Sequence, residues 1–204
     1  MDKALSDEVV ERIQPVRWLV LDVDGVLTDG RVILDDDGRE SKHFNVKDGH
    51  ALKMMIRFGF NVMFLTGRRS RVVEHRAEDL GITEVHQKIL NKLEYFTEWM
   101  VPKGISFAEV AYVGDDIVDI PLMKRVAFSA TVADAAEEVP PLVDYVSPYR
   151  VVQVLCGIFA RLYSKRRENG KKSPSVIISP NPFENLAEYA FTVCPAGGIS
   201  KSWG

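Results

Sequence analysis

The sequence predicts an α/β protein built on a doubly wound parallel sheet, and three observations carry that reading. Over the first 165 or so of its 204 residues, short apolar runs rich in Val, Leu and Ile alternate with segments of helical periodicity. The apolar runs are nearly continuous rather than alternating with polar residues, the mark of strands covered on both faces. Polar or glycine-bearing turns come directly after the strongest runs, where ligands gather at the carboxyl ends of such strands.

The N-terminal stretch MDKALSDEVVERIQ has acidic residues in its first turns and no apolar core, so no secretory leader is expected there. The run WLVL at 18–21 is the first buried strand. Residues 31–34 and 39–44 flank Asp35-Asp36-Asp37-Gly38 and predict a β-hairpin with a solvated turn; the remaining ligands and closing Glu of a calcium loop are missing. Ala51, Leu52, Met55, Ile56 and Gly59 share one helical face, and the run VMFL at 62–65 is a second strand. A weaker strand at 84–86 precedes a helix marked by Leu90, Leu93, Phe96 and Met100, which Lys92 opens. The run VAYV at 110–113 is strongly apolar, and weaker strands are expected at 126–128 and 144–146. An amphipathic helix at 151–163 closes a domain spanning 1–165. Residues 166–204 read as a basic, Gly/Pro-bearing linker and a tail too short for a core of its own, mobile or docked on a neighbouring subunit.

Composition excludes several classes. Hydrophobic residues at 46% and charged ones at 27% are ordinary for a globular domain and rule out wholesale disorder. With 26 basic against 29 acidic residues, the net charge of −3 argues against a nucleic acid partner. A bilayer-crossing segment takes about 20 mostly apolar residues, and no run approaches that, so no membrane partner is expected. Cys156 and Cys194 have no companions at metal-ligand spacing and make no disulfide framework, which points to a reducing cytoplasm. His43, His50, His75 and His86 also lack ligand spacing and read as surface or packing residues.

The chemistry lies just beyond the strand ends. The first strand ends in Asp22-Val23-Asp24-Gly25, the second in Thr66-Gly67-Arg68, and that at 110–113 in Gly114-Asp115-Asp116 with Asp119 a helical turn on. In a parallel sheet these endings and Lys92 overlook one edge and can meet. Together they suit phosphoryl transfer to a carboxylate. Gly25 lets the backbone turn so that Asp22 and Asp24 can serve one centre, and clustered carboxylates repel unless a hard cation such as Mg²⁺ lies among them. Thr66 can donate to phosphoryl oxygens, and Lys92 adds positive charge where negative charge accumulates.

DVDGVLTDG at 22–30, the Thr of FLTGR at 66, Lys92 and GDDIVD at 114–119 resemble, in order and at strand ends, the four motifs of haloacid dehalogenase-like hydrolases. The resemblance covers roughly residues 15–150 and implies a Rossmann-like doubly wound sheet. It also implies that Asp22 is the nucleophile, forming an aspartyl-phosphate, with Asp24 the acid and base. Thr66 and Lys92 complete the candidate catalytic set. The implied Mg²⁺ ligands are the Asp22 and Asp115 carboxylates and the main-chain carbonyl of Asp24, with Asp116 and Asp119 orienting Lys92 and metal-bound water.

Thr66 lies 42 positions after Asp24 and Lys92 lies 26 after Thr66, so neither gap holds a cap domain. Within the family, FNVKDG at 44–49, Thr66-Gly67-Arg68, Arg76, Asn91-Lys92, AYVGDD at 111–116 and Asp144-Tyr145-Val146 resemble the sugar-acid phosphatase branch. That branch implies a small phosphorylated sugar acid as substrate, 3-deoxy-D-manno-octulosonate 8-phosphate first and a nonulosonate 9-phosphate or other phosphomonoester second. Lys47, Asp48, Gly67, Arg68 and Arg76 are then the candidate substrate-binding residues. The branch also implies a homotetramer in which hairpins cover neighbouring sites. Lys47 stands where the branch usually has Arg, and the glycine-rich stretch expected after Val146 is absent. A non-catalytic phospho-acceptor or scaffold would share some of these residues. A receiver, however, has its acceptor after the acidic pair, and a degenerate scaffold loses a motif residue; none is missing here.

Overall fold

The computed structural model describes residues 7–147. The expected helix at 151–163, the linker, the tail and both cysteines lie outside these residues. In chain order the elements are α1 (Asp7–Ile13), β1 (Trp18–Leu21), β2 (Ile33–Leu34), β3 (Glu40–Ser41), α2 (Val46–Arg57), β4 (Asn61–Leu65), α3 (Arg71–Leu80) and β5 (Glu84–His86). Next come α4 (Lys92–Met100), β6 (Val110–Val113), α5 (Ile120–Met123), β7 (Phe128–Thr131) and β8 (Tyr145–Val146).

Six strands form one parallel sheet in the order β5-β4-β1-β6-β7-β8. The chain first builds leftward from β1 to β4 and β5, then crosses back to place β6 on the other side. That reversal opens a crevice at the carboxyl end of β1, the usual ligand position in such sheets. Side chains alternate along the central strands into two cores. Leu19, Leu21, Val62, Phe64, Ala111 and Val113 join a core completed by α1, α2 and α3. Val20, Met63, Leu65, Val110 and Tyr112 join another under α4 and α5. Both faces being covered, the strands have no polar side to show, which is why they read as unbroken apolar runs. Truncating a residue such as the fully buried Phe64 to Ala costs about 3–5 kcal/mol.

Local signals set the helix starts. Asn45 caps α2 by accepting from the Lys47 amide at 2.8 Å, and Asn91 caps α4 by accepting from the Glu94 amide at 3.3 Å. Lys92 is therefore the first residue of α4. Leu90, which the helical pattern included, precedes the cap and is 81% exposed. Gly59 lies beyond α2 with φ +81°, so it ends that helix and is not part of its buried face.

The two-stranded hairpin β2–β3 stands apart from the main sheet as a flap. At its tip Asp35 Oδ1 accepts from the Asp37 and Arg39 amides at 3.0 and 2.7 Å, and Gly38 adopts φ +76°. These bonds make a self-satisfied turn. Between Asp24 and Thr66 lie only this flap, α2 and β4, and between Thr66 and Lys92 only α3 and β5.

Candidate active site

The ends of β1, β4 and β6 are held level by the sheet: Leu21 pairs with Phe64 on one side and with Val113 on the other. The Asp22 amide extends the ladder by donating to the Val113 carbonyl at 2.9 Å, and the Thr66 amide does the same to His86 at 2.9 Å. Asp22, Thr66 and Asp115 thus emerge along one edge. Lys92 reaches that edge from the start of α4, its Nζ 3.1 Å from Asp22 Oδ1 and 2.5 Å from Asp119 Oδ1. Asp22, Thr66, Lys92 and Asp119 are all buried.

Asp119 organises this group. Its Oδ1 accepts from Lys92 and from the Tyr112 hydroxyl at 2.7 Å, while Oδ2 accepts from the Asp115 and Asp116 amides at 3.0 and 3.1 Å. One carboxylate therefore aims the lysine and shapes the loop carrying Asp115. Close backbone approach makes room for it: a Cβ on Gly114 would overlap the Asp119 carboxylate. Likewise Gly25, with φ +89°, lies where a Cβ would run into the Asp115 carboxylate.

The electrostatics describe a site short of positive charge. Burial, then the repulsion of Asp22, Asp119 and Asp116, raises Asp115 to about 8. Burial raises Asp22 to about 6 against the opposing pull of Lys92. Burial also works against the charge on Lys92, but Asp22 and Asp119 hold it above its ordinary value. Tyr112 is pushed well up by burial and by Asp119, so its hydroxyl remains a donor. Carboxylate oxygens of Asp22, Asp115 and Asp119 lie within 4.8 Å of one another. Asp115 Oδ1 is buried without a hydrogen-bond partner. Asp22 Oδ1 is buried without one as well, and an all-oxygen cluster with unmatched acceptors and raised carboxyl groups fits a hard divalent cation. Because both Asp119 oxygens are already engaged, Asp22 and Asp115 are the side chains left to ligate it.

Asp24 is expected among the metal ligands through its main chain, and its side chain meets the flap. It forms an ion pair with Lys42 of the flap, and its Oδ1 accepts from the Thr28 hydroxyl at 3.4 Å. Lys42 also lies 3.4 Å from Glu40, which receives Arg68 Nη2 at 2.9 Å. Burial disfavours the Glu40 charge, but the Ser70 hydroxyl, Lys42 and Arg68 together hold its carboxyl below the ordinary value. Neither Lys42 nor Glu40 belongs to a strand-end motif, so reading the sequence by its motifs misses both. Their spacing is the available signal, since residues two apart share a face of a strand.

The remaining candidates are more dispersed. Gly67 and the exposed Arg68 sit at the mouth, beside the end of β4. Lys47 is exposed in the first turn of α2, whereas Asp48 is buried and lines a small cavity with Phe44, Asn45 and Arg76. The Arg76 fork is already engaged: it donates to Asp79 at 2.8 Å and to the Asn45 carbonyl at 3.4 Å, and it lies 5.5 Å above the Phe44 ring. In this arrangement Arg76 braces the junction of flap and α2. Asp116 is exposed and caps the turn at 117–119, accepting from the Ile117 amide at 2.7 Å, so of this pair it is Asp119 that orients Lys92.

Comparison with known proteins identifies the family and agrees with the fold. Residues 81–151 match the haloacid dehalogenase-like hydrolase family. The chain is 41% identical over 143 residues to the 3-deoxy-D-manno-octulosonate 8-phosphate phosphatase of Escherichia coli, covering 70% of this chain and 76% of that one. A crystal structure of the Yersinia pestis phosphatase of the same name superposes with a TM-score of 0.74 at 33% identity, over 86% of this chain and 98% of that one. Another, from Moraxella catarrhalis in complex with magnesium ion, phosphate ion and a KDO molecule, gives 0.75 at 28% identity over 80% and 97%.

Proposed function

Since the chain belongs to the haloacid dehalogenase-like hydrolases, in their sugar-acid phosphatase branch, we propose that it removes phosphate from 3-deoxy-D-manno-octulosonate 8-phosphate through a phosphorylated Asp22. The observation that carries the reading is the buried Asp22–Lys92–Asp119 array beside the unmatched Asp115 carboxylate. The substrate rests on the Escherichia coli and Moraxella relatives.

In the first half-reaction an Asp22 oxygen attacks phosphorus, the bond from phosphorus to the sugar oxygen breaks, and Asp24 gives that oxygen a proton. In the second, Asp24 takes a proton from water as the water oxygen attacks phosphorus, and the acyl-phosphate bond breaks to restore the Asp22 carboxylate. Lys92 faces Asp22 and stabilises negative charge gathering on the phosphoryl oxygens, while Thr66 donates to them from the end of β4. Asp119, itself held by the Tyr112 hydroxyl, keeps the Lys92 ammonium aimed, and Asp22 and Asp119 together keep it charged. Mg²⁺ would be held by Asp22, Asp115 and the Asp24 carbonyl, and when bound it offsets repulsion between carboxylate and phosphate dianion. Arg68, exposed at the mouth and donating to Glu40, is the side chain we assign to the anionic sugar acid.

An open site needs closure, and the exposed Val32 and Leu34 on the flap offer an apolar surface for a neighbouring subunit, which supports a tetramer. The small sugar-acid substrate and the low cysteine count, two in 204 residues, support a cytoplasmic enzyme. Among the described residues no helix is long and apolar enough to cross a membrane. The test is phosphate release by the purified chain with Mg²⁺. Hydrolysis should favour the eight-carbon sugar acid phosphate over nonulosonate 9-phosphates, and Asp22→Asn should abolish it. Undiminished turnover in that variant would refute the mechanism, and preference for another ester would refute the substrate.

A further inference from the structure

We propose that Lys42 is a positioning residue for Asp24: carried on the flap, it fixes the orientation of the acid/base carboxylate and makes proton transfer conditional on the flap lying over the site. The inference rests on the role given to Asp24 above and extends it to a residue outside every strand-end motif.

Lys42 is unusual for its place. It comes directly after a two-residue strand of a surface hairpin, between the exposed Ser41 and His43, yet its side chain is only 1% exposed. Removing an ammonium from water is costly unless it is paired, and Lys42 is paired twice, with Asp24 Oδ1 and with Glu40 Oε1. Arg68 closes the chain by donating to the same Glu40 oxygen at 2.9 Å. An alternating series, Arg68–Glu40–Lys42–Asp24, thus runs from the end of β4 through the flap to the end of β1.

The series acts on one atom of Asp24. Oδ1 faces the Lys42 ammonium and the Thr28 hydroxyl, whereas Oδ2 lies 4.0 Å from Arg68 Nη1 at the mouth of the site. Anchoring one oxygen presents the other, and proton transfer to a leaving group depends on such orientation. The flap gains equally. Its own ladder has only two residue pairs, too little to hold a hairpin in place alone, so these ion pairs seat it. Seating the flap and aiming Asp24 are therefore one event.

The test compares full-length wild type with Lys42→Met, Lys42→Arg and Asp24→Asn on two substrates. One is 3-deoxy-D-manno-octulosonate 8-phosphate, whose alkoxide needs a proton to leave; the other is p-nitrophenyl phosphate, whose leaving group does not. The ratio kcat/KM reports formation of the phosphoenzyme. Lys42→Met should lose on the order of 10–100-fold on the sugar ester and less than about threefold on the nitrophenyl ester, with Lys42→Arg recovering part of the loss. Equal losses on both, or none, would overturn the positioning role. Asp24→Asn without any leaving-group preference would instead overturn the assignment of Asp24, a distinguishable failure. Amide hydrogen exchange over residues 31–45 supplies a readout independent of turnover. It should quicken in Lys42→Met, and unchanged protection would refute the seating of the flap.

Discussion

Replacing Asp115 with Asn should make the metal-free protein more stable, although it removes a candidate metal ligand. The sign comes from protonation. In the unfolded chain the carboxyl titrates near its ordinary 3.8, whereas in the fold it is raised to about 8. Between those values the folded protein holds a proton that the unfolded chain has released, so stability is full below about pH 4 and declines as pH rises toward 8. The displacement sets an upper bound of about 6 kcal/mol, and screening of this partly solvated group reduces it to about 2–3 kcal/mol. An Asn at this position cannot ionise and escapes the penalty. At about 2–4 °C per kcal/mol for a protein of this size, the metal-free variant should melt roughly 4–12 °C above wild type near pH 8. Near pH 5 the gap should shrink to a degree or two, because little of the penalty has accrued there. Saturating Mg²⁺ should reverse the order by stabilising wild type and leaving the variant almost unmoved. Thermal denaturation with EDTA and with Mg²⁺, at both pH values, reads all four arms. Coincident metal-free melting curves at pH 8, or equal Mg²⁺ shifts in both proteins, would refute the reasoning.

Other perturbations have equally definite outcomes. Tyr112→Phe removes the 2.7 Å hydrogen bond to Asp119 without changing volume, which should cost about 1–2 kcal/mol in denaturant unfolding. The same variant should lower kcat several-fold, because Asp119 then holds Lys92 with one anchor fewer. Gly25→Ala drives a methyl group into the Asp115 carboxylate at a backbone conformation unsuited to Ala. Strain of about 1–3 kcal/mol is expected there, and calorimetric titration should show weakened Mg²⁺ binding. Leu34→Glu places a charge on the flap's exposed apolar surface, and light scattering should show the proposed tetramer replaced by smaller species.

The architecture was legible because burial on both faces writes itself into composition. The strands 18–21 and 110–113 coincide with β1 and β6, since nothing polar interrupts these central runs, and the weaker 84–86 coincides with the edge strand β5. The strand expected at 126–128 instead runs over Phe128–Thr131. There Ser129 and Thr131 are polar yet buried: Ser129 bonds Asp144, and the Thr131 hydroxyl donates to the Gly114 carbonyl at 2.7 Å. Such satisfaction is tertiary and leaves no local signature. The strand-end carboxylates and Lys92 were legible for a similar reason, as position in an alternating α/β pattern fixes which edge they share. What the flap contributes was not. Read locally, Glu40 and Lys42 look like solvated hairpin residues, and only the fold brings them against Asp24 and Arg68. Arg76 shows the reverse, a candidate ligand whose fork proves committed to Asn45 and Asp79.

The central claim is that phosphorus passes through Asp22. Rapid acid quenching of the Asp24→Asn variant during turnover, borohydride reduction and peptide mass analysis test it directly. An acyl phosphate is reduced to the alcohol, so residue 22 should appear as homoserine, and only after exposure to substrate. An unmodified Asp22 alongside a labelled residue elsewhere, or no label while phosphate is still released, would contradict the account.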